Sequence, residues 1–248
     1  MIGILGFGRF GRLMSRYLAR DFEVTVFDSG GKASGIAKTG AAAATLEQVC
    51  GEDIVILPVP ISVFGQTLKK IQPLLREDAL VIDVCSVKTY PVALMQKLLP
   101  EGISILATHP MFGPDSAADS LEGHKIVLCP ERIEEDRYLK IRSYLDSTGL
   151  HTIEATPDEH DRQISISLAM THFIGRSLSE FGAHPLGIDT EGYKRLLHVL
   201  EVVENDTWQL FVDMHHYNPY ARKHRAEMIE AVNRVETKLR ESVEGRHA

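Results

Sequence analysis

The sequence predicts an α/β protein: a mostly parallel sheet with helices on both faces, followed by an all-helical domain. Three observations carry this. Short, near-continuous apolar runs recur up to about residue 155, separated by helical patterns, as expected of strands covered on both faces. The first run opens into a glycine-spaced loop and a helix. From Thr156 onward no strand pattern returns and long helical periodicities take over. The boundary is therefore expected near residue 155, giving domains 1–155 and 156–248.

Ile2-Gly3-Ile4-Leu5 reads as the first strand. It feeds Gly6-Phe7-Gly8-Arg9-Phe10-Gly11 and then a helix marked by Leu13, Met14, Tyr17 and Leu18. Glu23 to Asp28 is a second strand ending in an acid. A G-x-G-x-x-G loop in the order strand, loop, helix, strand, acid is the fingerprint of a Rossmann-type dinucleotide-binding unit. Gly6 permits the tight turn, Gly8 lets backbone approach a pyrophosphate, and Gly11 lets helix and strand pack closely. The N–H groups of the helix start face the anion, so Phe7, Arg9 and Phe10 belong to the same cradle. Asp28 is expected to accept from a ribose 2′-hydroxyl and to repel a 2′-phosphate, which favours NAD over NADP. Arg9 and Lys32 are cations available to a phosphate and moderate that preference; a solvated Arg9 is the competing reading.

Ala41 to Ala44 is a short strand, and Thr45 can cap a helix over Leu46 to Cys50. Asp53 to Leu57 is a buried strand ending at Pro58-Val59-Pro60, and Ile61 to Leu75 is amphipathic. Ala79 to Val84 is another strand and runs into Cys85-Ser86-Val87-Lys88. Ile103 to Ala107 leads into Thr108-His109-Pro110-Met111-Phe112-Gly113-Pro114, where Pro110 fixes its own φ and Gly113-Pro114 turns the chain. Pro58, Pro60, Ser86 and His109 are thus expected just past the carboxyl ends of strands. They share one sheet edge with the glycine loop, where open α/β sheets bind ligands. Lys125 to Cys129 is a further strand, Ile133 to Thr148 a helix stopped by Gly149, and His151 to Ala155 the last strand.

Thr156-Pro157-Asp158-Glu159 has the capping residue, early proline and third-position glutamate of a helix start. That helix is expected to run to Phe181, with Gly182 as its stop. Thr190 to Glu204 and Asn218 to Val243 are further helices, and the tail from Glu244 to Ala248 is expected to fray. The helical half has long apolar stripes and little core of its own, so a homodimer through this half is expected.

Composition excludes several classes. The net charge of −7 offers no basic field for nucleic acid. No apolar run approaches the roughly 20 residues of a membrane span, and no signal-peptide pattern opens the chain. Cys50, Cys85 and Cys129 have no metal-type spacing and sit in or beside apolar runs, so no metal is expected. They read as buried free thiols in a reducing cytoplasm.

Taken together, these segments resemble the prephenate/arogenate dehydrogenase family, most of all its plant-type arogenate branch. The resemblance covers nearly the whole chain. It rests on the glycine fingerprint, Asp83-Val84-Cys85-Ser86-Val87-Lys88, His109 to Pro114, Glu159-His160-Asp161, and the segments Gly192-Tyr193, Val203-Glu204-Asn205 and Tyr217-Asn218. It implies a Rossmann domain followed by a helical dimerisation domain. The implied reaction, in tyrosine biosynthesis, is NAD(P)-dependent oxidative decarboxylation of arogenate or prephenate. His109 is then the catalytic base, which must be neutral to accept the hydroxyl proton, and Ser86 hydrogen-bonds near it. His160, Gln163, Thr171 and His172 are implied on the substrate side. Lys88 is left as either a surface charge or a support for the loop after Ser86.

Two departures from the bacterial members matter. Glu201 stands where they carry a carboxylate-clamping arginine, and Lys194, Arg195 and Arg222 are the candidate replacements. Asp206 aligns with an aspartate that favours arogenate, whose side chain carries an ammonium; the competing reading is a helix cap within Asn205-Asp206-Thr207. Tyrosine, which resembles the aromatised product, is a candidate inhibitor. Two other readings stand against this one: a Rossmann dehydrogenase of the β-hydroxyacid or imine type, and a nucleotide-binding redox sensor without turnover.

Overall fold

A computed structural model describes residues 1–244. The chain divides into two compact units, Met1–His160 and a second beginning at Asp161.

The first unit is built on eight strands: β1 (Ile2–Leu5), β2 (Val24–Phe27), β3 (Ala42–Ala43), β4 (Ile54–Leu57), β5 (Leu80–Asp83), β6 (Ser104–Pro110), β7 (Lys125–Arg132) and β8 (His151–Glu154). They form one sheet in the order β3-β2-β1-β4-β5-β6-β7-β8. Strands β1 to β6 are parallel. The chain leaves β1 toward β2 and β3 on one side and returns to β4 on the other. The strand order therefore reverses between β1 and β4, which is where such sheets open a crevice.

Helices α1 (Arg9–Leu18), α2 (Ala33–Ala37), α3 (Leu46–Cys50), α4 (Ile61–Ile71), α5 (Thr89–Leu98) and α6 (Glu135–Ser147) connect the strands. On one face Ile2, Ile4, Val26, Ile56, Ile82, Leu106 and Ile126 form a core with Met14 and Leu18 of α1 and Ile141 and Leu145 of α6. The alternate strand residues Val55, Leu57, Val81, Ile105 and Ala107 are fully buried as well, as are Phe64, Leu68 and Ile71 of α4 and Met95 of α5. Strand residues alternate between faces, so both faces are covered, and the apolar runs show no polar alternation for that reason. Thr45 closes α3 with a full capping box. At Gly3 a Cβ would lie 2.3 Å from the Val49 carbonyl oxygen, so α3 rests directly on β1.

The structure departs from the sequence-based expectations in several places. β6 does not end at Ala107 but continues through His109 and Pro110, because β7 pairs with it there: His109 lies opposite Val127 and Pro110 opposite Ile126. This pairing is antiparallel, since residues 111–124 contain no crossover helix and the chain simply doubles back. Helices α2 and α5 are additions. The run expected as one helix from Thr156 to Phe181 is two, α7 (Pro157–Ser167) and α8 (Ala169–Phe181), broken at Leu168. A single helix face therefore cannot be used to relate His160 to His172.

In the second unit, α8 packs along α9 (Glu191–Glu204) at Gly175, where a Cβ would meet Val203 at 2.5 Å. The helices α10 (Trp208–Tyr217) and α11 (Ala221–Glu244) complete it. α11 starts at Ala221 rather than Asn218, because Asn218 turns the chain instead: its side chain accepts from the Tyr220 amide and donates to the Asp161 carbonyl. The buried apolar set here is small, whereas Phe181, Ile188, Trp208, Val235 and Leu239 are all more than half exposed. The expectation for the tail past Glu244 lies outside the described residues.

Candidate active site

The three fingerprint glycines meet three different demands. Gly6 has φ of +119° and its Cβ would lie 2.9 Å from the Pro58 carbonyl oxygen, so the loops after β1 and β4 touch at the crevice. A Cβ on Gly11 would lie 2.1 Å from the Gly6 carbonyl oxygen. At Gly8 a Cβ would meet no protein atom within 4 Å. Gly6 and Gly11 are thus required by the fold, whereas the space over Gly8 is open, as a cradle for a pyrophosphate needs. α1 begins directly after Gly8 with no side-chain cap.

Asp28 sits at the end of β2 and accepts from the Phe7 amide at 2.8 Å and the Gly30 amide at 2.9 Å. Burial works against its ionisation, but these two amides and Lys32 outweigh it and hold the carboxyl below its usual value. Lys32 Nζ donates to the Phe7 carbonyl at 3.2 Å and lies 3.5 Å from Asp28. Arg9 forms a two-oxygen ion pair with Asp115, at 2.6 and 2.8 Å. Both cations moderating the cofactor preference therefore lie against carboxylates, with the Arg9 side chain still about half exposed. Phe10 lies near Phe112 with the rings tilted at 47° and their centroids 6.2 Å apart.

His109 is almost completely buried, and its Nδ1 lies 2.8 Å from Nε2 of His160. His160 opens α7 and is itself 3% exposed. Thr156 and Glu159 fix that helix start by reciprocal hydrogen bonds. Burial first, then the neighbouring His160 imidazole and the Lys88 ammonium, hold the pKa of His109 well below its ordinary value. A buried imidazole in such surroundings is a neutral acceptor at neutral pH. The Ser86 hydroxyl is buried and has no hydrogen-bond partner among the described residues. A buried hydroxyl left unpaired carries a free-energy cost that a ligand can relieve.

Lys88 is no surface charge. It is wholly buried; its ammonium donates to Asp83 Oδ1 and, at 2.5 Å, to the Thr108 carbonyl. The sequence left this residue open because a lone lysine after a strand is ordinarily exposed. The available signal was an aspartate closing an apolar strand five residues earlier.

The second unit holds the remaining candidates. Gln163 is exposed. The Thr171 hydroxyl donates to the Ser167 carbonyl within the helix run. His172 is buried; burial and then Arg176 push its pKa down to about 4. Its Nε2 lies 3.6 Å from Asp206 Oδ2, while its Nδ1 is buried without a hydrogen-bond partner among the described residues. Asp206 does not cap α10, because Thr207 does, accepting from the Leu210 amide. Nor is Asp206 fully buried: its side chain is 37% exposed. Arg176, not singled out by the sequence, donates to the Val203 and Asp206 carbonyls at the end of α9. Glu201, Lys194, Arg195 and Arg222 are all exposed, and Lys194 pairs with Glu191.

Comparison with known proteins identifies the family and the fold. Residues 24–154 match the family model described as prephenate dehydrogenase, nucleotide-binding domain, and residues 177–248 match one described as TYRAAT1-like, C-terminal domain. The chain is 33% identical over 230 residues to arogenate dehydrogenase 2, chloroplastic, of Arabidopsis thaliana, covering 89% of this chain and 64% of that protein. It is 30% identical to arogenate dehydrogenase 1, chloroplastic, of the same plant, covering 100% of this chain and 40% of that protein. The chain thus spans less than two thirds of the length of either relative. In fold it is similar to an A. aeolicus prephenate dehydrogenase solved with hydroxyphenyl propionate and NAD+, with a TM-score of 0.75 at 20% identity, covering 97% of this chain and 91% of that one.

Proposed function

The chain belongs to the prephenate dehydrogenase family, and on that premise we propose that it catalyses NAD(P)-dependent oxidative decarboxylation of arogenate or prephenate in tyrosine biosynthesis. The observation that carries this reading is the buried, neutral His109 held by His160 on the sheet edge that also bears the unpaired Ser86 hydroxyl.

The open space over Gly8 and the amide-held carboxylate of Asp28 fit a dinucleotide. In this reading Gly6, Phe7, Gly8, Arg9, Phe10 and Gly11 hold its pyrophosphate, Asp28 its ribose, and Pro58 and Ser86 border it, with NAD favoured over NADP. The bound nicotinamide supplies the acceptor for the hydrogen leaving C4 of the substrate with its electron pair. His109 does the rest of the acid–base work. With its Nδ1 proton donated to His160, its Nε2 lone pair accepts the proton of the 4-hydroxyl. Ser86 orients that hydroxyl, and the ring carboxylate departs as carbon dioxide while the ring becomes aromatic. The protein therefore mainly positions the substrate and removes one proton. Reduced cofactor is expected to accumulate when the protein is mixed with NAD and either substrate; no change in its absorbance with arogenate or with prephenate would sink the reading.

We further assign His160 chiefly to orienting His109 rather than to direct substrate contact, and keep Gln163, Thr171 and His172 as the substrate-side set of the helical half, residues 156–248. Asp206 is the determinant for arogenate over prephenate, since a carboxylate attracts the side-chain ammonium that only arogenate carries. Its partial exposure limits the discrimination to the lower end of the cost of an unpaired buried charge, about 1 kcal/mol. Asp206→Asn should lower kcat/KM for arogenate several-fold relative to prephenate, and an unchanged ratio removes the role. Tyrosine, which keeps that ammonium, is the expected inhibitor.

The exposed apolar side chains of the helical unit support a homodimer. Sedimentation should give twice the chain mass, and a monomer at micromolar concentration would refute it. No described helix is long and apolar enough to cross a membrane. Three buried cysteines without a disulfide among the described residues support a reducing compartment, with the cytoplasm as the proposed location.

A further inference from the structure

We propose that the buried Lys88–Asp83 ion pair is a positioning device for His109 and Ser86, tying the turn that carries the serine to the strand that carries the histidine and placing the Lys88 ammonium on the carbonyl of the residue that precedes the imidazole. The inference rests on the reading of His109 as the base.

The geometry is specific. β5 ends at Asp83, which lies opposite Ala107 of β6. Past that point the parallel ladder stops, and the Thr108 carbonyl receives the Lys88 ammonium, at 2.5 Å. The Thr108 hydroxyl in turn donates to the Asp83 carbonyl at 2.7 Å. Asp83 Oδ1 accepts both the Lys88 ammonium and, at 2.9 Å, the Cys85 amide, so the same carboxylate shapes the turn leading to Ser86. One buried pair thus fixes the two residues on either side of the chemistry.

Stability alone is a poor account of this pair. Both side chains are 0% exposed, and well-packed apolar residues of similar volume often serve as well or better at such positions. Lys88 also stands at the N-terminal end of α5, where the helix dipole disfavours a cation. Among the described residues, the titratable and charged groups facing His109 are His160 from α7 and Lys88 from the N-terminal end of α5, with Asp83 at the end of β5 behind it. The Lys88 ammonium, held on Asp83 and on the Thr108 carbonyl, disfavours a positive charge on the imidazole.

The test is the double variant Asp83→Asn, Lys88→Gln, which removes both charges together and leaves neither one buried alone. The His109 imidazole is titrated by NMR in the wild type and the variant, and kcat and KM are measured for both. Expected are an upward shift of the imidazole pKa, an acid limb of kcat/KM moved to higher pH, and kcat lower by about 10- to 100-fold with KM little changed. An unmoved titration overturns the proposal whatever happens to the rate, because a merely structural pair slows turnover without it. Should the double variant not fold, Thr108→Val loosens the same clamp with the charges kept: a kcat about tenfold lower at unchanged KM supports the proposal, and an unchanged kcat overturns it. Absence of turnover by the wild type on either substrate refutes the dehydrogenase reading instead, and the titration still decides the effect of Lys88.

Discussion

Replacing His109 by asparagine is expected to lower kcat by about 10²- to 10⁴-fold, the range that a positioned general base contributes. Asparagine can keep a polar contact to His160 Nε2 but has no lone pair basic enough to take the hydroxyl proton. The loss should therefore fall on kcat, with substrate KM and NAD affinity little changed. The pH profile gives the same residue a second test. Burial, His160 and Lys88 all disfavour the imidazolium, so the pKa of His109 lies well below its ordinary value. On the proposed reading the imidazole acts as the base and is active when neutral. kcat/KM should accordingly stay level as pH falls to the ordinary imidazole range and drop only below it. A limb at or above that range, or turnover undiminished in His109→Asn, would end the assignment.

Lys88→Met is expected to destabilise the first unit by about 3–5 kcal/mol, because it strands the Asp83 carboxyl in a fully buried site. The sign of its pH dependence follows from the same group. Burial already raises the Asp83 pKa, with the Lys88 ammonium and the Cys85 contacts opposing it. Without the ammonium the folded-state pKa rises further above the unfolded value. Below the unfolded carboxylate pKa the group is protonated in both states and this part of the deficit vanishes; as pH rises past it, the deficit grows. Chemical denaturation of wild type and variant across that interval measures it, and a pH-independent difference would show that Asp83 is not the group left stranded.

Much of the first unit was readable along the chain because its signals are local. Gly6 is dictated by its φ and Gly11 by its contact with the Gly6 carbonyl, both within one strand–loop–helix unit, and the acid after β2 lies only a short helix away. The apolar runs identified the strands, and Thr45 and Thr156 marked their helix starts through hydrogen bonds spanning three residues. Where a feature depends on a distant segment, the reading failed or stopped. β6 was cut short at Ala107 because the pairing with β7 that extends it through Pro110 is long-range. The break at Leu168 carries no proline or glycine to announce it.

The candidate site divides along the same line. By itself the sequence determined that Pro58 and Ser86 follow strand ends beside the glycine loop, since those strands stop where the local apolar pattern stops; His109, read as lying past its strand, is instead within β6 near its carboxyl end. Only the tertiary structure decided what each one touches: that His160 holds His109, that Arg9 is paired with Asp115, and that Lys88 is buried on Asp83 and Thr108. The physical reason is that burial and charge pairing depend on which strands become neighbours. A lysine in the sequence is solvated or desolvated only once the fold has placed a carboxylate and a carbonyl around it.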